Sequence, residues 1–346
     1  MHIQELLRFA VKNRASDLHI TENSPPILRI NGRIVATELA ALTREDTKRM
    51  VYSLLNDKQK EIFEQRLELD FSFSLDGKER FRINVHSQRG SIEAAFRVIP
   101  SQVPTLDQLG LPVVATELAR KPNGLVIVTG PTGSGKSTTL AAMVDLINTE
   151  QQVVVITIED PIEYIFYNKK SIIKQREVFA DTRSFADALK HVLRQDPDVV
   201  VVGEMRDLET ISTTLTAAET GHLVLATLHT PDASQTIDRV IDVFPPHQQE
   251  QIKIQFSGCL QGVISQELLP RKDGRGRVLA TEVMIATTGI RNLIREHSTE
   301  QIPTLIQTGA QYGMHMMDKS LRELYVKGLV SYEEVIVRAK NPEEFR

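Results

Sequence analysis

Apolar positions along the chain follow two regimes that meet near residue 100. In residues 3–13 apolar side chains recur at helical spacing (Ile3, Leu6, Leu7, Ala10, Val11), which predicts an amphipathic helix. Pro26–Thr37 carries apolar residues on both sides of Asn31-Gly32, a strong two-residue hairpin signal, so two short strands are expected there. Thr43 with Asp46 resembles a capping box ahead of Met50, Val51, Leu54 and Leu55, and Gln59–Leu69 continues in helical period. Leu69–Leu75, Arg80–His86 and Ser91–Ile99 alternate apolar and polar residues over turns at Asp76-Gly77 and Arg89-Gly90, predicting a meander covered by helices on one face. Pro100, Pro104 and Pro112 interrupt helix and strand alike, so residues 101–115 are expected to link an α+β domain, residues 1–100, to a second domain, residues 116–346.

Beyond that stretch, short and almost continuously apolar strands alternate with helices, the pattern of a buried, mainly parallel α/β sheet. Four strands stand out: Leu125–Thr129, Val153–Ile158, Val199–Val202 and Leu223–Thr227. Open α/β sheets bind ligands at the carboxyl ends of their strands, so the residues just after each run are candidates for one site.

The first run leads into Gly130-Pro131-Thr132-Gly133-Ser134-Gly135-Lys136-Ser137, a P-loop followed by Thr138. The glycines let the backbone curl so that N–H groups face phosphate oxygens. Lys136 adds a point charge toward the β- and γ-phosphates, Ser137 offers a hydroxyl to Mg²⁺, and Ser137–Ile147 has the spacing of a helix whose N-terminus faces the phosphates. Asp198–Asp207 (DVVVVGEMRD) reads as a Walker B strand, with Glu204 at its tip as the candidate for activating the attacking water or holding the metal's hydration shell. Glu159, Asp160 and Glu163 concentrate three carboxylates over five residues after the second strand and are candidates for the metal and water side of the nucleotide. His222 and His229 bracket the fourth strand.

Composition narrows the class further. The 346 residues suffice for two domains, each with its own core. Charged residues are 25% with a net charge of −4, aromatics are 5% and tryptophan is absent, which weighs against a nucleic-acid motor with a basic or stacking track. The lone cysteine, Cys259, rules out an internal disulfide and a tetracysteine zinc site and is expected in a core. No segment approaches the roughly 20 apolar residues of a spanning helix, so a cytoplasmic protein is expected.

In this order GPTGSGKS, ITIEDPIEY, DVVVVGEMRD and GHLVLATLHT resemble the Walker A, Asp box, Walker B and His box of the secretion ATPases that drive type II secretion and type IV pili. The resemblance covers essentially the whole chain, including SDLHI at Ser16–Ile20. Within that family the chain is most similar to pilus retraction motors. It shows no long N-terminal extension or tetracysteine module, and GIRNLIRE at Gly289–Glu296 is similar to their AIRNLIRE motif, departing at Gly289. On pattern alone that segment is an amphipathic helix with Ile290, Leu293 and Ile294 on one face and Arg291 and Arg295 on another. The resemblance makes it a motif needed for retraction beyond ATP turnover. Met314, Met316 and Met317 are read as packing or interface residues.

The resemblance implies a PAS-like N-terminal α+β domain, a RecA-like P-loop ATPase core, and ATP and Mg²⁺ as cofactors, the metal held by Ser137, Glu159 and Glu204, partly through water. It implies a homohexamer that powers pilus retraction and twitching motility at the cytoplasmic face of the inner membrane. An inner-membrane platform protein and an accessory retraction ATPase are the implied partners, with no nucleic acid and no membrane insertion. His222 and His229 would sense the γ-phosphate. A neighbour's arginine would complete each site, with Arg82 and Arg97 as the leading candidates and Arg194, Arg206 and Arg239 behind them. The alternatives are a related secretion or pilus-extension ATPase, a ring that binds ATP without turnover, and a RecA-like nucleic-acid motor.

Overall fold

The computed structural model describes residues 2–30, 32–76, 79–100 and 102–345. The chain forms two compact units, Met1–Gln102 and Val103–Arg346.

The first unit runs α1 (Ile3–Lys12), β1 (Asp17–Ile20), β2 (Ile27–Ile30), β3 (Arg33–Ala36), α2 (Arg44–Tyr52), α3 (Asp57–Arg66), β4 (Glu68–Leu75), β5 (Glu79–Gln88) and β6 (Ser91–Ile99). Its sheet is antiparallel throughout, in the order β3-β2-β1-β6-β5-β4. The Thr43–Asp46 capping box opens α2. Helix α3 stops earlier than its period suggests, because Leu67 turns left-handed (φ 60°) and swings the chain into β4. Arg89 and Gly90 both take positive φ, 49° and 80°, as a tight hairpin turn requires. Asn31 and Gly77, expected in the other two turns, lie outside the described residues; the strands they join pair from Ile30 with Arg33 and from Leu75 with Glu79. One face of β5 sends Phe81, Ile83 and Val85 into a core with Leu6, Leu7, Leu18 and Phe96.

The second unit runs α4 (Val113–Ala119), β7 (Gly124–Thr129), α5 (Lys136–Glu150), β8 (Val154–Glu159), β9 (Ile172–Glu177), α6 (Phe185–Val192), β10 (Val199–Val202), α7 (Leu208–Glu219), β11 (Leu223–Thr227), α8 (Ala233–Asp242), α9 (Pro246–Cys259), β12 (Leu260–Pro270), β13 (Arg277–Ile285), α10 (Thr288–Glu296), α11 (Ile302–Thr308), α12 (Met317–Val326) and α13 (Tyr332–Ile336). The sheet order is β13-β12-β7-β11-β10-β8-β9, parallel except for the β12–β13 hairpin. Strands β7, β8, β10 and β11 at its centre are almost continuously apolar because helices cover both faces. Leu125 and Ile127 of β7 pack into one core while Val126 and Val128 pack into the other, and β10 divides its four valines in the same way.

Two features differ from the sequence reading. Residues 101–115 are not a free linker: from Val103 onward they belong to the second unit, where Leu106, Leu111, Val114 and Ala115 are buried in a core. Strands β9, β12 and β13 were not anticipated; β9 is a polar edge (IIKQRE), and α9 passes into β12 with no intervening residue, so no turn chemistry marks the change. Cys259 is buried at that junction, which pushes its thiol up to about 12. Met314 and Met317 are also buried. No helix of the described residues is long and apolar enough to cross a membrane.

Candidate active site

The P-loop hangs from the end of β7. Gly130 sits at φ 139°, and a Cβ there would stand 2.2 Å from the Gln266 carbonyl oxygen, so only glycine fits. Gly135, left-handed at φ 91°, is the N-cap of α5. The first N–H groups of that helix have no intrahelical acceptor and lie at the positive end of its dipole, an anion-binding arrangement. Lys136 Nζ donates to the Gly130 and Pro131 carbonyls at 2.8 and 3.0 Å and lies 3.3 Å from His229 Nδ1. Burial holds the Lys136 ammonium below the ordinary lysine range, against the opposing pull of Glu204 and Glu163.

A cavity of about 480 Å³ opens here, lined by Thr132, Gly133, Gly135, Lys136, Ser137 and Thr138 of the loop and α5, by Glu159, Asp160 and Glu163 after β8, by Glu204 after β10, and by His229 after β11. Four parallel strands thus deliver their carboxyl ends to one place. Glu204 pairs with Arg206 at 2.6 Å and with His229 Nε2 at 3.3 Å. Burial would raise its carboxyl, but Arg206 and His229 together outweigh burial and hold it below the usual range. Glu159 responds the other way: burial pushes it up, although Thr157 Oγ1 and Gln175 Nε2 donate to its Oε1 at 2.6 and 3.2 Å.

His222 does not join this group. It precedes β11, its carbonyl accepting the Gly124 N–H at the opening of β7, so it stands at the amino ends of the strands, about 20 Å from the loop by strand rise. Its Nδ1 lies 3.0 Å from the Ala217 carbonyl oxygen. Symmetry of sequence around a strand means opposition in space. Arg194 and Arg239 do not line the cavity, whereas Arg206 does. Arg82 and Arg97 belong to the first unit, where they face each other across β5 and β6, and Arg97 Nε donates to Asp17 at 3.1 Å.

Three contributors escaped the sequence reading. Arg277, at the start of antiparallel β13, lines the cavity and donates to the Gly133 carbonyl at 3.3 Å. Tyr164 OH donates to Thr138 Oγ1 at 3.2 Å, and Gln175 bonds Glu159 from the edge strand. Tyr164 sits inside the ITIEDPIEY block, so a signal for it existed; for Arg277 the signal was Asp273-Gly274, a hairpin turn between two apolar runs, with Gly274 and Gly276 at positive φ. The GIRNLIRE segment forms α10, burying Ile290 and Ile294. Arg291 is not on a free face: it donates through Nε to the Ala286 carbonyl at 2.9 Å and through Nη1 to the carbonyls of Ser257 and Gly258 in the last turn of α9.

The donors fit a nucleotide with Mg²⁺. Ser134 Oγ is buried in the loop without a hydrogen-bond partner, and the oxygens of Ser137, Glu159 and Glu204 are hard ligands. Among the described residues no three His, Cys, Asp or Glu side chains form a metal cage.

Residues 1–338 match the family model described as type II/IV secretion system protein. The chain is 50% identical over 345 residues to the type IV pilus retraction ATPase PilT of Pseudomonas aeruginosa, covering 100% of both proteins. It is 49% identical over 318 residues to a twitching motility protein of Neisseria gonorrhoeae, covering 92% of this chain and 85% of that one. Among solved structures, the pilus retraction motor PilT with bound ADP superposes with a TM-score of 0.93 at 50% identity, over 99% of this chain and 98% of that chain.

Proposed function

The chain belongs to the type II/IV secretion system protein family, and on that premise we propose that it is an ATPase that retracts type IV pili and so drives twitching motility. The observation that carries the reading is the meeting of three strand ends at Lys136: the P-loop, Glu204 and His229. Lys136 and the α5 N-terminus bind the phosphates. Glu204 stays ionised and orients the attacking water, a task that needs an acceptor close to the γ-phosphate rather than a strong base. His229, 3.3 Å from both Lys136 Nζ and Glu204 Oε1, reports whether a γ-phosphate separates them.

Ser137, with Glu159 and Glu204 acting through water, would hold Mg²⁺, which when bound neutralises charge on the phosphate oxygens. Six copies forming a ring would let Arg82 and Arg97 of one copy serve the site of the next, an arrangement that gains from placing a cation on the transferred phosphoryl charge. The ring would work at the cytoplasmic face of the inner membrane against a platform protein, alongside an accessory retraction ATPase.

The test is ATP hydrolysis across a protein concentration series with in-line light scattering. Activity should rise with hexamer formation and need added Mg²⁺. Glu204→Gln should lose about 10²- to 10⁴-fold in kcat while still binding nucleotide, and Lys136→Ala should lose nucleotide binding. Full hydrolysis by the monomer, or a parental rate in Glu204→Gln, overturns the composite-site reading. Failure of the active protein to restore twitching in a strain lacking its retraction ATPase overturns the cellular assignment.

A further inference from the structure

Behind the site lies a buried charge cluster that the hydrolysis chemistry does not use. The turn 230–232 follows His229 and leads into α8. Asp232, 7% exposed, caps that helix, its Oδ1 accepting the Gln235 N–H at 2.8 Å. Beside it Glu282 of β13, 1% exposed, accepts the Ala233 N–H at 3.0 Å through Oε1, while its Oε2 is buried without a hydrogen-bond partner. Two interior carboxylates therefore meet at the N-terminus of α8. Lys340 bridges them, its Nζ 2.8 Å from Asp232 Oδ2 and 3.6 Å from Glu282 Oε2. Lys340 is itself tethered, since Asp318 accepts the N–H groups of Lys340 and Asn341, both at 2.9 Å.

A line of hydroxyls connects this cluster to the phosphate loop. Thr236 Oγ1 donates to the Asp232 carbonyl at 2.7 Å and lies 2.6 Å from Thr230 Oγ1, which is 2.7 Å from Thr129 Oγ1. Thr129 is the last residue of β7, directly before Gly130. The backbone on the far side of His229 is thus fixed between the P-loop strand and a lysine 108 residues downstream of Asp232.

We propose that Lys340 is a positioning residue for His229: by joining Asp232 to Glu282 it locks the turn that keeps the imidazole between Lys136 and Glu204. The proposal rests on the ATPase reading of that site. Without the ammonium Asp232 is left a buried carboxylate with no cation, beside a Glu282 that burial already pushes toward its neutral form, and the cap at Asp232, which lies in a turn, yields before Glu282 does in its strand. The C-terminal segment is in this way part of the apparatus that sets His229.

The experiment uses the full chain and three forms: Lys340→Met, Lys340→Arg, and the neutral triple variant Lys340→Met with Asp232→Asn and Glu282→Gln. Hydrolysis, binding of a fluorescent ADP analogue, and amide exchange of residues 228–236 are measured on each. Lys340→Met should lose roughly ten- to a hundredfold in kcat, the range seen when outer partners of metal-ligating histidines are removed, with ADP affinity kept within about twofold. Exchange at 228–236 should rise at least about tenfold. Lys340→Arg should restore both readouts, and the triple variant should recover the slow exchange because nothing is left to neutralise. Unchanged exchange in Lys340→Met, or equal losses of kcat and ADP affinity that Lys340→Arg does not rescue, overturns the proposal. Because exchange reports on the turn without turnover, a protein that hydrolyses nothing yet shows the exchange pattern fails the ATPase reading and keeps the latch.

Discussion

Glu204 carries a charge contested by two effects of opposite sign. Burial works to neutralise it, and the Arg206 and His229 partners work harder to keep it ionised. Because its folded-state value lies below the ordinary 4.5, the stabilisation from these contacts is complete above that pH and is lost as pH falls through the lower folded value. Arg206→Gln removes the largest of the lowering contributions and leaves burial dominant, so the carboxyl should titrate at higher pH. The acid limb of kcat/KM should move upward with it; a profile identical to the parent would show that Arg206 does not set the charge of Glu204. Lys136, Glu204 and His229 are legible as residues in the sequence because each directly follows, or closely follows, an apolar strand. His222 shows the limit of that rule, since a residue before a parallel strand lies at the opposite strand end from the residues that follow it.

At the scale of elements, α9 and α10 are joined by a side chain rather than by packing alone. Arg291 reaches back from α10 to the last carbonyls of α9, groups that a helix leaves without internal partners. Burial holds its guanidinium below the ordinary arginine range. Arg291→Ala should therefore cost about 1–3 kcal/mol, the usual loss when buried acceptors are stranded, read as a shift in the denaturation midpoint. Arg295→Ala, on an exposed position of the same helix, should stay within about 0.5 kcal/mol. Equal effects of the two would remove the capping role. The helical period of GIRNLIRE foretold the buried face of Ile290 and Ile294, but the arginines look equivalent until α9 is in position.

At the scale of the molecule, the two units have separate cores. The first closes its own, with Leu6, Leu7, Leu18, Phe81, Ile83 and Phe96 all at or below 1% exposure. A fragment of residues 1–102 should then fold by itself and melt in one cooperative transition by far-ultraviolet dichroism. A broad, non-cooperative melt would show that this core needs the rest of the chain.

What the sequence determined by itself is local: the P-loop, the acidic strand tips, the capping box at Thr43, the hairpin at Arg89-Gly90, and the division of the chain into an antiparallel and a parallel half. Each depends on neighbours within a few residues, where spacing alone selects backbone geometry. Tertiary structure decided which of those local pieces meet. It brought Arg277 to Gly133 across the sheet, set His222 at the far strand end from the P-loop, drew residues 103–115 into a core, and set Lys340 against Asp232. These outcomes turn on pairings about a hundred residues or more apart and on which end of a strand a residue occupies. Neither leaves a periodic trace in the chain, because burial and charge pairing are settled only when distant elements pack.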